Sequence, residues 1–365
     1  MMETLTGSSK ETIRFALIGC GSIAAKHALA IGRLENARLV GGYDVEAGVA
    51  NAFSSKHGVP VFESIEEMVG KTDPHVLCVL TPSGLHGENV LEAIRFNRHF
   101  VVEKPLALRL DQIDRILEEC DKRQLKLFVV QQNRFNPPIR KLKEAMDGGR
   151  FGKLVIGTVR VRWKRDQSYY DQRPWRGTWS NDGGVLTNQA SHHIDMLIWM
   201  MGEVESVIAK TSTRLVNIEA EDTGVAVLKF RNGALGIVEA TTAARPRDLE
   251  GSISVLGERG TVEVGGFFMN ELKIWEFTDS HPMDEEVRRE YGKVPNEQAW
   301  NHTEFFRDVV SSLLNGTKGL IDGIEGRKSV ELINAIYESA ETGKEVFLRF
   351  SPKKCRLGEV ADVDK

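Results

Sequence analysis

The sequence predicts an α/β protein in two parts: an N-terminal doubly wound parallel (Rossmann) sheet, and a C-terminal α+β domain with a large open, mostly antiparallel sheet. Three observations carry this. Up to about residue 130, short and nearly continuous apolar runs alternate with stretches of helical period, the pattern of a parallel sheet covered on both faces. A glycine-rich turn follows the first run directly. After Asn136-Pro137-Pro138 the runs alternate polar and apolar residues instead, as half-buried strands do.

In chain order, residues 1–12 are polar and read as a disordered lead-in. Residues 13–135 form the nucleotide-binding part, with strands expected at 13–18, 37–43, 76–80, 99–102 and 125–130. Helices fall between them at 23–33, 45–57, 65–69, 85–96 and 110–123. Residues 136–365 read as the substrate-binding and oligomerisation part. A helix at 139–146 leads into strands at 153–163, 204–216, 223–230, 234–241, 252–256, 261–264 and 272–277. Arg231-Asn232-Gly233 is a hairpin-like turn, and helices at 300–314 and 325–341 finish the fold. A sheet with one apolar face buries it against helices or a second subunit, so a homo-oligomer, dimer or tetramer, is expected.

The chain has 365 residues, a net charge of −4 and 27% charged residues. That balance gives no pull toward nucleic acid or an anionic membrane. No apolar run approaches the ~20 residues of a membrane span, and the N-terminus lacks the apolar centre of a secretory signal. The four cysteines are scattered without C-x-x-C spacing. This fits a reduced, cytoplasmic protein with no metal site, and Cys20 and Cys78 read as small buried hydrophobes.

Gly19-Cys20-Gly21-Ser22-Ile23-Ala24 has the G-x-G-x-x-G/A form in the first βα turn. Gly19 permits the tight turn and Gly21 lets backbone approach a pyrophosphate. Ser22 and Ile23 open a helix whose N-terminus faces the phosphates. Asp44 ends the second strand, 20 residues after Ala24. A carboxylate there accepts from both ribose hydroxyls and repels a 2′-phosphate, which favours NAD over NADP. The other reading of Asp44 is a helix cap before Glu46. Thr81, Pro82 and Ser83 follow a strand end and are expected along the cofactor, with His86 as a ribose or nicotinamide contact or a surface helix histidine.

Glu103-Lys104-Pro105 follows the strand at 99–102. Lys104 is placed to lie over a bound ring and hold a substrate hydroxyl, with Glu103 beside it at the cofactor. Pro105 stiffens the mount. Downstream of Gly183-Gly184 the period reads as helical from Val185, so Asn188 and His192, four apart, share a face. His192 is the expected general base, and Asp195, three residues on, is placed to orient its ring. A helix with a solvated polar face is the alternative. Together the glycine turn, Lys104 and His192 point to alcohol–ketone redox chemistry on a nicotinamide. Residues 160–176 are rich in Arg, Trp and Tyr, which suits an anionic ligand better than nucleic acid. Arg165 and Tyr169 are its candidate substrate contacts, and Asn133 and Arg134 add an anion contact at the crevice.

On these motifs the chain resembles the glucose–fructose oxidoreductase / inositol dehydrogenase family. That family pairs a nicotinamide domain with an open-sheet domain that makes dimers or tetramers. Its glycine-rich run leads to D-x-x-x-H, and Asn188 stands here where most members carry aspartate. That departure throws more of the proton transfer onto Lys104 and His192.

Within the family, Gln132-Asn133-Arg134, Tyr169-Tyr170-Asp171, Trp175-Arg176-Gly177-Thr178-Trp179 and Asn188-Gln189-Ala190-Ser191-His192 resemble a narrower group. It comprises the bacterial UDP-N-acetyl-2-amino-2-deoxyglucuronate (UDP-GlcNAcA) 3-dehydrogenases. The resemblance implies oxidation of the sugar C3 hydroxyl by NAD, followed by an aminotransferase, on the way to diacetamido uronic acids of lipopolysaccharide O-antigen. It adds Gln132, Trp175 and Arg176 as cofactor contacts and makes Lys104, Asn188 and His192 substrate contacts. In some relatives NAD stays bound and is regenerated by 2-oxoglutarate, a candidate hydride acceptor here. Two other readings are a dehydrogenase of a free polyol such as inositol and a silent NAD-binding regulator.

Overall fold

A computed structural model describes residues 12–292 and 299–348. The expected lead-in, apart from Thr12, and Cys355 lie outside them. The N-terminal half runs β1 (Ile13–Ile18), α1 (Ala24–Gly32), β2 (Ala37–Tyr43), α2 (Ala47–His57), β3 (Val61–Phe62), α3 (Ile65–Thr72), β4 (Val76–Val79), α4 (His86–Ala93), β5 (His99–Val102), α5 (Leu110–Lys122) and β6 (Leu127–Val129). The strands pair in parallel in the order β3-β2-β1-β4-β5-β6. The order reverses between β1 and β4, the place where doubly wound sheets open a ligand crevice. Strands β4 and β5 carry buried side chains almost throughout, which is why they read as continuous apolar runs.

The C-terminal half runs α6 (Pro137–Asp147), β7 (Leu154–Arg162), α7 (Gln167–Asp171), α8 (Ser191–Met201), β8 (Val204–Ser212), β9 (Thr223–Phe230), β10 (Leu235–Thr241), β11 (Glu250–Gly257), β12 (Gly260–Gly265), β13 (Glu271–Phe277), α9 (Met283–Glu290), α10 (Trp300–Asn315), α11 (Gly323–Thr342) and β14 (Val346–Phe347). Its eight-stranded sheet has the order β13-β12-β11-β7-β10-β9-β8-β14. All neighbours are antiparallel except β7 and β10. The turn at Arg231-Asn232-Gly233 joins β9 to β10, with Gly233 at φ +88°. Strands β3 and β14 span two residues each, too few to show a period, and the sequence does not flag them. Helix α9 is likewise missed.

Each half has its own apolar core, and α11 packs against both sheets. A Cβ on Gly326 would lie 2.4 Å from the Val129 side chain, and one on Gly323 2.6 Å from Leu127. The helix reaches β6 that closely only because both positions are glycine. One face of the large sheet stays open: Ile208, Val225, Val227, Leu235 and Ile237 alternate outward and are 37–50% exposed. No helix among the described residues is long and apolar enough to cross a membrane.

Candidate active site

The crevice is built from the carboxyl ends of β1, β4 and β5. Gly19 has φ +99°, and a Cβ there would lie 2.9 Å from the Leu80 carbonyl, so only glycine lets the β1 and β4 ends close up. Around Gly21 a Cβ would meet nothing within 4 Å; the turn faces open space there. Ile23 caps α1 without a side-chain hydrogen bond; the Ala24 and Lys26 N–H groups turn back to the Gly21 and Ile23 carbonyls at 3.1 and 2.9 Å, and the positive end of the helix still faces the turn. Asp44 takes the Cys20 N–H at 2.8 Å and the Glu46 N–H at 2.9 Å. Both readings of Asp44 therefore meet in one side chain: it braces the turn and keeps a lone pair per oxygen for a ribose. These residues fit a dinucleotide.

Thr81, Pro82 and Ser83 follow β4 at the crevice. The loop that follows the 160–176 segment returns to them: the Gly84 N–H donates to Asn181 O at 2.9 Å. His86 is neither a cofactor contact nor a surface residue. It is 1% exposed, and its ring nitrogens lie 2.7 Å from the Pro105 and Thr81 carbonyls. It ties the Thr81 loop to the Lys104-Pro105 segment.

Glu103 is buried beneath Lys104 rather than facing the crevice. Burial alone would raise its carboxyl, but the hydrogen bond and charge of His27 outweigh that and hold it at about 2. His27 Nε2 and Glu103 Oε1 are 2.8 Å apart, and the Lys104 N–H donates to Glu103 Oε2 at 3.2 Å. With His302 these two form a trio of metal-type ligands within 4.8 Å. Glu103 uses one carboxylate oxygen for His27 and the other for the Lys104 N–H, so the His27–Glu103 pair acts as a brace for Lys104.

Lys104 Nζ donates to the Asn188 carbonyl at 2.6 Å. Burial lowers its pKa, with Glu103 and Asp182 pulling the other way. The helix expected from Val185 instead begins at Ser191. Asn188 and Gln189 make i→i−4 bonds, but the Ala190 N–H reaches back to Val185 O, and this break frees the Asn188 carbonyl that a continuous helix would commit to His192. The Asn188 side chain donates to Asp182 at 2.5 Å, rather than lining up with His192.

His192 Nδ1 lies 2.7 Å from Gln131 Oε1, and its Nε2 lies 3.3 Å from Gln132 Nε2. Burial, then the Lys104 charge, holds its pKa well below the ordinary value, so it is neutral and able to take a proton. Asp195 does not orient this ring. It is 2% exposed and accepts from Arg134 at 2.7 and 2.8 Å, while Arg134 also donates to Glu325 at 2.9 Å. Arg134, 2% exposed, is thereby withdrawn from the crevice, and no substrate anion reaches it. Asn133, next to it, lies 3.4 Å from the Asn301 side chain.

The segment 160–176 divides. Arg160 and Arg162 sit on β7 and pair across the sheet with Glu250 and Glu239. Beyond β7, Arg165 lies 5.4 Å over Trp163 and 5.3 Å over Tyr169, and Arg176 lies 4.1 Å over Tyr169 and 5.7 Å over Trp175. Arg165 also pairs with Asp248 at 3.3 Å. Of the two stacked groups, Arg176, which donates to the Tyr169 carbonyl and the Gln172 side chain, is the one with no carboxylate partner among the described residues.

Three residues at the site receive no role in a reading of the sequence. Asp182 links Gly177 N–H to the Asn188 side chain, but in the sequence it is only the first residue of a D-G-G turn. Gln131 sits one residue before a recognised motif and carries no pattern. Glu221 accepts from Leu186 N–H and Tyr337 OH; burial raises its carboxyl to about 7. It seats the loop that carries Asn188, across a sequence gap no local signal spans.

Comparison with known proteins adds to this geometry. The model described as "Oxidoreductase family, NAD-binding Rossmann fold" matches residues 13–131, and "Oxidoreductase family, C-terminal alpha/beta domain" matches residues 143–348. Among curated proteins, the myo-inositol 2-dehydrogenase of Thermotoga maritima is 30% identical over 68% of this chain and 74% of its own. Among solved structures, the WlbA dehydrogenase of Bordetella pertussis, in complex with NADH and UDP-GlcNAcA, is 39% identical. It covers 94% of this chain and 100% of its own, with a TM-score of 0.88. The WlbA dehydrogenase of Chromobacterium violaceum, in complex with the same two molecules, is 40% identical over 96% of this chain and 100% of its own, with a TM-score of 0.89.

Proposed function

The chain belongs to the Gfo/Idh/MocA oxidoreductase family and is an NAD-dependent oxidoreductase acting on a CH–OH group, and from that premise we propose that it oxidises the C3 hydroxyl of UDP-GlcNAcA to the ketone. The observation that carries this is the 39–40% identity over nearly the whole chain to two dehydrogenases crystallised with NADH and UDP-GlcNAcA. The stacked Arg176 offers a guanidinium fork that suits a diphosphate or a carboxylate. The glycine turn, the α1 N-terminus and Asp44 would hold NAD, which would supply hydride acceptance. Gly21, Ser22, Ile23 and Thr81 to Ser83 line its place. We assign the proton to His192 Nε2, and assign to Lys104 Nζ the donor that steadies the developing alkoxide.

In this reading the 3-keto product passes to an aminotransferase, on a route to lipopolysaccharide sugars, and 2-oxoglutarate regenerates NAD. Incubation with UDP-GlcNAcA and NAD should give a 3-keto sugar nucleotide that an aminotransferase captures as an amine. No product with or without 2-oxoglutarate would sink the proposal. The identity to myo-inositol 2-dehydrogenase favours a second reading, a free polyol as substrate, and preferential turnover of inositol would select it.

Replacing Asp44 with serine should shift the NAD/NADP ratio of kcat/KM toward NADP by about ten- to a hundredfold, or about 1.4–2.8 kcal/mol. An unchanged ratio would leave Asp44 as a brace for Cys20 and Glu46 alone.

The open sheet face is proposed as the contact between copies of this chain, since five apolar side chains alternate outward on β8, β9 and β10. Val227→Asp should move the protein to a smaller species in light scattering after gel filtration. A wild-type protein that already runs as a monomer removes this proposal. Cys20, Cys78 and Cys120 are buried free thiols, which supports the cytoplasm as the compartment.

A further inference from the structure

We propose that Gln131 is a positioning residue that fixes the tautomer of His192, so that Nδ1 carries the proton and Nε2 presents its lone pair to the substrate. This rests on the reading above that His192 takes the hydroxyl proton.

The direction of the amide follows from the groups behind it. Gln131 is 1% exposed and Ser329, on α11, 2%. The Ser329 hydroxyl donates its single proton to the Gly326 carbonyl at 3.2 Å. It is left as an acceptor, and Gln131 Nε2 donates to it at 3.4 Å. Gln131 Oε1 therefore faces His192 Nδ1 at 2.7 Å, and an amide oxygen only accepts. The proton of a neutral imidazole must then sit on Nδ1, which leaves Nε2 unprotonated. Gln132 Nε2, a donor 3.3 Å away, is the long contact that occupies this lone pair until the substrate hydroxyl displaces it. Both contacts agree on one tautomer. The opposite tautomer would turn an N–H toward the substrate and leave no base.

In the step itself the substrate O–H bond breaks and an Nε2–H bond forms. The Nδ1–H bond to Gln131 persists through the imidazolium, and the proton leaves later to solvent. The arrangement depends on α11 lying against β6: Gly326 permits that approach, and Ser329 comes with it.

Two variants and one spectrum test this. Gln131→Met removes the acceptor and keeps the volume. With UDP-GlcNAcA and NAD, its kcat should fall about 10–100-fold, the cost typical of losing such an orienting partner, with KM changed by less than about threefold. Gln131→Glu keeps an acceptor and adds charge. It should recover most of kcat and move the acid limb of the kcat–pH profile upward, because a carboxylate favours imidazolium. Lys104, Glu103, His193 and His302, the other titratable groups bearing on His192, are the same in both variants.

The spectrum is read without turnover. In ¹⁵N-histidine-labelled wild-type protein, the His192 signals, identified by their loss in His192→Asn, should show Nδ1–H and an unprotonated Nε2, and Gln131→Met should mix the tautomers. A proton on Nε2 in the wild type, or a tautomer unmoved in Gln131→Met, overturns the proposal. An inert wild-type enzyme with the Nδ1–H pattern intact instead overturns the substrate reading and leaves this one standing.

Discussion

Replacing Lys104 with methionine is expected to lower kcat about a hundred- to ten-thousandfold while leaving NAD binding close to wild type. The lysine sits where three effects converge. Its peptide N–H is held by Glu103, its Nζ is 2.6 Å from the Asn188 carbonyl, and burial lowers its pKa, so its proton is readily shared with an alkoxide. Methionine keeps the length and loses the donor. His192→Asn should fall by a similar factor. The double variant should be little worse than the poorer single one, because groups that act as a unit do not add. Stopped-flow measurement of the hydride step reads all three. A Lys104→Met enzyme within threefold of wild type would remove the lysine from the chemistry.

The same pair sets the pH profile. The working form of His192 is neutral, and its folded pKa is depressed by burial and by Lys104. Rate should therefore hold level as pH falls from 8 through 6.5 and drop only below that.

Arg134→Leu should have the largest effect on stability. The substitution leaves Asp195, 2% exposed, as a buried carboxylate without its two-pronged partner, and such losses cost about 3–5 kcal/mol. At roughly 2–4 °C per kcal/mol, the apparent melting temperature should fall by on the order of 10 °C. Arg134→Lys should restore little, since an ammonium cannot reproduce the fork. Arg134→Leu combined with Asp195→Leu should recover much of the loss, because no uncompensated charge remains. A normal melting temperature with a raised KM for the nucleotide sugar would instead return Arg134 to the role of anion contact.

How much was legible can be followed residue by residue. Gly19, Gly21 and Asp44 were readable because their roles are local: a turn, a helix start and a strand end lie within a few dozen residues. Lys104 was readable from its strand and proline. His192 was visible as a residue, but its supports were not. Spacing along a helix suggested Asp195 as the partner, whereas the ring is held by Gln131, 61 residues away, and Asp195 belongs to Arg134. A period of 3.6 says which side chains share a face and nothing about what packs against it. The composition of 160–176 suits an anionic ligand without saying which arginines stay free, and Arg160 and Arg162 are neutralised by glutamates on neighbouring strands that only the sheet order brings beside them.

The sequence by itself determined the two kinds of sheet, the dinucleotide turn and the lysine and histidine of the site. These depend on the period of apolar residues and on short motifs, which local chain geometry enforces. The tertiary structure alone decided which groups face those residues. It broke the helix at Ala190 to free the Asn188 carbonyl for Lys104, buried Arg134 against Asp195, and brought Ser329 and Gln131 behind His192. Hydrogen-bond partners distant in sequence are chosen by packing, and buried polar groups take whichever donor or acceptor the fold places within about 3 Å.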